Sequence, residues 1–228
     1  MKIIKNNMAH FTSYQNLIFI QNLYRLQSIG FNYIDTFNIN DKKYYDTPFS
    51  FTQLSQDVQN CHLCDLSKSR SQAMVGFGNE NADIMVIDFN ISDIQDKNNL
   101  YYNGRTGELL KEILEKSLKT TVEKIYYTHS IKCKTLNFNF PSSSEWNSCK
   151  NHLYSQINFI KPKFIISLGE DVYKNLTSDE ENFENIRGHL IEFNNYKLLP
   201  IYHPKHILRN PELKNMTLND LKKIESYL

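Results

Sequence analysis

Hydrophobic and polar positions change period several times along this 228-residue chain. From Thr12 to Ile29 the text TSYQNLIFIQNLYRLQSI carries apolar residues at helical spacing, and Gly30 is placed to end that helix. The polar stretch NINDKKYYDTPFS follows, with Pro48 near its end, and reads as a linker. A boundary is therefore expected near residue 50. It separates an N-terminal helical extension and linker over 1–50 from a domain over 51–228.

Beyond the linker, strand and helix patterns alternate. ADIMVIDF is a buried strand ending near Asp88, and TGELLKEILEKSL a helix. EKIYYTHS is a strand ending near His129, and SEWNSCKNHLYSQINFI a helix with apolar positions Trp146, Leu153, Ile157 and Ile160. PKFIISLG is a strand ending at Gly169, with a short helix after it. KLLPIYH is a strand ending at His203, where Pro200 predicts an edge position or an irregularity. TLNDLKKIESYL is helical. Four strands separated by helices predict an α/β protein, a three-layer α/β/α arrangement with a central four-stranded parallel sheet.

Ligands bind such sheets outside the carboxyl ends of the strands. Those ends carry Asp88, His129, Gly169 and His203. Two histidines and a carboxylate there make a candidate reaction centre. The plainer alternative is that each histidine is a surface or capping residue. His203 stands out because HPKHILRNP continues into a polar, basic, proline-bent loop.

Charge changes this picture little. Lys and Arg number 26 and Asp and Glu 25, so the net charge of +1 speaks neither for nor against nucleic acid, and only a local basic patch is informative. MKIIKNNMAHF lacks a long apolar core, because Asn6, Asn7 and His10 interrupt it. No apolar run approaches the roughly 18 residues that span a bilayer. A soluble cytoplasmic protein is expected.

Cysteine changes it more. Four are present: Cys61 and Cys64 in CHLC, Cys133 in SIKCKT and Cys149 in WNSCKN. In a reducing compartment such a set favours a metal or cluster over disulfides. The spacing C-x2-C, a gap of 68 residues, then C-x15-C has one close pair where a zinc ribbon usually has two. A thioredoxin-type CxxC leaves the distant pair unexplained. Scattered thiolates suit an iron–sulfur cluster. Zinc, or four unrelated buried thiols, remain alternatives on spacing alone. Lys68, Arg70, Lys132 and Lys134 flank the cysteines, placed either to meet phosphates or to balance a cluster's negative charge, or simply as solvated basic surface.

The order CxxCxL, VGFGNENADIMVI, NGRTGELL, THSIKC, a further cysteine, KPKFIISLG, IRG and YHPKHILR resembles the iron–sulfur uracil-DNA glycosylases of the family-4 type, from about Asn60 to the C-terminus. The resemblance implies a [4Fe–4S] cluster on Cys61, Cys64, Cys133 and Cys149, and a four-stranded parallel sheet between helices. It implies DNA as the partner, a monomeric enzyme, and hydrolytic excision of uracil or a related deaminated base after nucleotide flipping. His203 would donate to the uracil oxygen that gains charge. Pro204 to Arg209 would form the loop that enters the minor groove, with Leu208 as the wedge in the vacated stack. Lys205 stands where the family's HPSxxLR has serine, and suits a phosphate as a point charge. Arg209 keeps the motif's arginine.

Other positions depart from the family pattern. Its GEAPG, followed by an acidic pair, is here Ile87-Asp88-Phe89-Asn90-Ile91, then Gln95-Asp96. Asp88 keeps a carboxylate at the glutamate position, one methylene shorter, and Asp96 is a candidate to replace part of the lost function. The missing glycines imply another loop shape, since a backbone without Cβ approaches a ligand closely. Tyr101 or Tyr102 stands where the family's phenylalanine stacks on uracil, with the same ring face. His129 replaces the asparagine that reads the uracil edge, and an imidazole nitrogen donates or accepts where an amide does both. Altered base choice, or a catalytically inactive DNA-binding protein on the same scaffold, is the competing expectation. A zinc-stabilised nucleotide-binding protein is a third.

Overall fold

The structure, a computed structural model, describes residues 50–89, 91–135, 141–225 and 227. The helix expected over Thr12–Ile29 and the linker after it lie outside these residues. The first described helix is α1 (Phe51–Gln59). Ser50 caps it by accepting from the Gln53 N–H.

Strands β1 (Phe77–Gly78), β2 (Ile84–Asp88), β3 (Tyr126–His129), β4 (Phe164–Leu168), β5 (Ile191–Phe193) and β6 (Tyr196–Ile201) form one sheet in the order β1-β3-β2-β4-β6-β5. The four central strands are parallel, as expected. Among the described residues the sheet nevertheless has six strands rather than four, because short antiparallel strands close both edges. Two and three residues are too few to carry a period, so β1 and β5 left no pattern. The β5–β6 hairpin turns at Asn194-Asn195, with Asn194 at φ 53, a conformation asparagine tolerates.

Every residue of β2 and of β4 is buried, which is why those strands read as unbroken apolar runs. Met85, Val86, Ile165, Ile166, Leu198 and Leu199 are fully buried at the centre. Each contributes about 1.5–3 kcal/mol relative to exposure. Pro200 lies in β6 opposite Ser167 of β4, beyond the last β5 pair at Leu198, so on its other side no strand needs its missing N–H.

The helices that matter for the site are α2 (Asp93–Asn98), α3 (Gly104–Leu118), α4 (Ser143–Ile160) and α7 (Pro204–Arg209). Between the last two come α5 (Glu170–Thr177) and α6 (Phe183–Ile186), and α8 (Leu213–Glu225) closes the described chain. Helix α1 packs on α4, while α3 packs on α7 and α8. The start of α4 is set by a capping box, Ser142 with Glu145.

Candidate active site

The register of the sheet makes the first juxtaposition. Asp88 ends β2 and lies directly beside His129, which ends β3. Tyr127 sits two residues before His129 and so on the same face of its strand. His203 arrives from β6. Gly169, at φ 85, follows β4, and a Cβ there would stand 3.3 Å from the His203 Cβ, so glycine leaves His203 room to fold over the strand ends.

His203 is also the N-cap of α7. Its Nδ1 accepts from the Lys205 N–H at 3.0 Å. A nitrogen that accepts carries no proton, which leaves the proton of the neutral ring on Nε2. Nε2 lies 3.0 Å from Asp88 Oδ1 and donates to it. The Phe89 N–H donates to the same oxygen at 2.6 Å, and the Tyr127 hydroxyl donates to Oδ2 at 2.6 Å. The Asp88 carboxylate therefore holds three donors.

Electrostatics follow from those partners. Burial raises the Asp88 pKa, but the His203 charge and hydrogen bond outweigh it, with help from His129 and the Tyr127 hydroxyl, and bring it down to about 2. Burial pulls the His203 imidazole down, and Asp88 more than reverses this, leaving it raised. Protonating His203 requires giving up the Lys205 cap. Burial lowers His129 to about 4, partly offset by Asp88. Burial, then the Asp88 charge, drives the Tyr127 phenol well above its ordinary value. The site is one buried anion among hydrogen-bond donors. Such an anion stabilises positive charge nearby and is a weak proton acceptor.

The remaining candidates divide. Tyr101 is buried, its ring 5.9 Å from that of His129, with its hydroxyl accepting from the Gly76 N–H at 2.8 Å. Tyr102 is half-buried, and its backbone packs so tightly on α3 that a Cβ at Gly107 would lie 2.4 Å from the Tyr102 carbonyl carbon. Asp96 does not join the network expected of it. Both its oxygens accept from the Ser71 N–H, at 3.0 and 3.1 Å, so it clamps the segment after the CHLC cysteines. Pro204 to Arg209 form a helix, not a loop. Pro204 is buried at its first turn, not presented as a contact, because proline fits that position without losing a bond. Lys205, Leu208 and Arg209 are exposed, Leu208 by 42%.

Sequence reasoning missed Tyr127, although IYYTH places it at the period-two partner of His129. Lys132, read as meeting phosphates, balancing a cluster's charge or lying on solvated surface, is buried. Its Nζ donates to Thr128 Oγ1, the His129 carbonyl and Gln156 Oε1 at 2.6–2.7 Å. A buried ammonium needs such acceptors, and only the fold supplies them. Lys68 and Lys134 pair with Asp65 and Asp93.

The four cysteines are free of disulfides. Cys133 and Cys149 pack with Leu66 and Ile131, against Cys64 and Trp146. Cys61 and Cys64 both act electrostatically on Cys133, and Cys61 and Cys133 on Cys149. Among the described residues no group of three or more His, Cys, Asp or Glu closes on a single metal ion. Burial pushes the Cys149 thiol up to about 12 and raises Cys133 against the pull of Arg70. Arg70 Nη1 donates to Cys133 Sγ at 2.8 Å, its Nη2 donates to the Gln59 and Cys61 carbonyls, and the Lys132 N–H donates to Cys149 Sγ at 3.3 Å. The sulfur-directed donors and apolar shell around Cys133 and Cys149 fit thiolates of a multi-iron cluster, whose positive centres would replace the thiol protons.

A family model described as the uracil DNA glycosylase superfamily matches residues 75–225, a span holding Asp88, Tyr127, His129 and His203. A type-4 uracil-DNA glycosylase of Saccharolobus solfataricus is 30% identical over 183 residues, 77% of this chain and 85% of the relative. One of Thermotoga maritima is 30% identical over 179 residues, 77% of this chain and 93% of the relative. One of Archaeoglobus fulgidus is 27% identical over 183 residues, 77% and 92%.

Proposed function

The chain belongs to the uracil-DNA glycosylase superfamily, and we propose that it excises uracil from DNA by hydrolysing the N-glycosidic bond, the first step of base-excision repair. The observation that carries this reading is the buried Asp88 carboxylate, held ionised by His203 at the carboxyl ends of β2 and β6.

In the reaction the C1′–N1 bond breaks, a water oxygen bonds to C1′, and uracil leaves with its bonding electron pair. Positive charge grows on the sugar and negative charge on the base. Asp88, an anion already stripped of water, serves the first. Its low pKa argues for electrostatic stabilisation rather than proton abstraction. His203 Nε2–H serves the second when it turns from Asp88 to the uracil oxygen. The water's proton ends on the uracil anion or in solvent. Tyr101 and Tyr102 supply ring faces and His129 an edge for the flipped base. The exposed Lys205, Leu208 and Arg209 beside His203 supply phosphate contacts and a wedge. The pairing of Asp88 with His203 disfavours the inactive alternative.

Cys61, Cys64, Cys133 and Cys149 would hold a [4Fe–4S] cluster. When bound, such a cluster cross-links the segment before β1 to the segment after β3 and to α4, and no step of the hydrolysis needs it. We assign the protein to the cytoplasm as a monomer, with residues 1–50 as a separate extension. Among the described residues no helix is long and apolar enough to cross a membrane.

The test is a panel of uracil-, hypoxanthine- and xanthine-containing oligonucleotides, followed by alkaline cleavage. Strand scission at uracil that needs alkali is expected. Intact strands with every lesion reject the proposal.

A further inference from the structure

Tyr127 enters the mechanism only through its hydroxyl, yet its ring meets nearly every group that a flipped base would meet. The hydroxyl lies 2.6 Å from Asp88 Oδ2 and 3.5 Å from His129 Nε2. The ring centroid lies 5.1 Å from that of His129, edge-on, 5.7 Å from Tyr101, edge-on, and 5.1 Å from Tyr102, tilted. Tyr127 is 1% exposed and His129 fully buried, and His129 Nδ1 is buried without a hydrogen-bond partner. Cavities of about 520 and 310 Å³ are both lined in part by Asn99 and Tyr101. Neither is lined by Asp88, His129 or His203.

A phenol ring and a uracil ring are close in size, and interiors are packed to crystal-like density. The two cannot share this space. We propose that Tyr127 occludes the base seat: its phenol stands in for the base between Asp88, His129 and the two tyrosines, and a flipped base enters only when that ring leaves. The inference rests on the glycosylase reading. It adds a residue that sets entry to the pocket. Departure of the ring removes one donor from Asp88 and frees the His129 edge it faces.

Occlusion lowers apparent affinity by the fraction of time the seat is open, so a seat open one time in ten costs about tenfold. Free uracil is titrated by calorimetry onto the cluster-loaded full chain, as wild type, Tyr127→Val and Tyr127→Phe. Tyr127→Val is expected to bind uracil at least about tenfold tighter than wild type. Tyr127→Phe keeps the ring and is expected to stay near wild type. Equal affinities for wild type and Tyr127→Val overturn the proposal. So does a gain in Tyr127→Phe equal to that in Tyr127→Val, because the hydroxyl and not the ring would then be the obstacle. Tyr127→Ile replaces the valine variant if the latter does not fold. If neither folds, wild-type protein labelled with 3-fluorotyrosine decides, its Tyr127 resonance identified by loss in Tyr127→Phe. That resonance must move on adding uracil, and an unmoved resonance at saturation overturns occlusion. Excision from a uracil-containing single strand separates the two readings. Tighter uracil binding in Tyr127→Val with no excision by any variant keeps occlusion and rejects the glycosylase. Excision by wild type with equal affinities does the reverse.

Discussion

His203 Nε2 and Asp88 Oδ1 stand 3.0 Å apart across 115 positions of sequence. The leaving-group donor and the carboxylate are one unit in the resting site. Turning His203 toward a uracil oxygen takes a donor from Asp88 just as positive charge on the sugar begins to need that anion.

The first prediction follows from this pairing. His203→Ala should lower the single-turnover rate on uracil by about 10²–10³, as for a donor aimed at developing negative charge. Asp88→Asn should also slow the step while leaving DNA affinity intact. Because the two groups are in contact, the double mutant should lose clearly less than the sum of the two free-energy losses. Strict additivity in single-turnover assays would argue that the pair is not functional.

His129 couples stability to pH. Its proton binds near 6.5 in an unfolded chain and near 4 in the folded one. Between those values the unfolded chain holds more protons, so stability falls as pH drops from about 6.5 toward 4. His129→Asn removes that group. Its melting temperature should fall less than that of wild type across the same window, measured by circular dichroism. The amide also both donates and accepts, so the variant should excise uracil faster than its parent at pH 7.

The cysteine site makes a graded prediction. Cys149→Ala should lose iron and melt at lower temperature. Arg70→Met removes the N–H···S bond to Cys133 and the ties to the Gln59 and Cys61 carbonyls. It should be purified with iron but lose it several-fold faster in air, followed by the decay of visible absorbance, as expected when a supporting donor is removed. Full iron and unchanged melting in Cys149→Ala would remove the cluster from the proposal.

Helix α7 separates wedge from charge. Leu208→Ala should weaken excision from paired substrates more than from single strands, since single strands need less unstacking. Equal losses would leave Leu208 without a wedge role. Arg209→Ala should instead weaken binding to every sequence and flatten its dependence on salt concentration.

Much of the fold was legible because its central strands are buried on both faces. ADIMVIDF and PKFIISLG have no alternation to confuse, and the helices between them declare their period. Parallel strands separated by helices then put their carboxyl ends together, which brought Asp88, His129 and His203 into view as a set. The four cysteines were visible as a set because residue type carries their chemistry. The two-residue β1 and three-residue β5 were not legible, being too short to hold a period.

Tertiary structure alone decided the partners. Sequence places Asp96 beside the acidic motif, but the Ser71 N–H takes its carboxylate, and Asp88 takes the histidine instead. Lys132 reads as a cation for phosphates, for a cluster or for solvent, and Thr128, Gln156 and a backbone carbonyl enclose it. Tyr127 reads as ordinary strand, and only the register that sets β3 beside β2 carries its hydroxyl to Asp88. Local pattern determines which face of an element is buried, because burial repeats with the period of the backbone. Which polar atoms meet depends on elements far apart in sequence closing together, and the cost of leaving a buried donor or acceptor unpaired selects the pairs that survive.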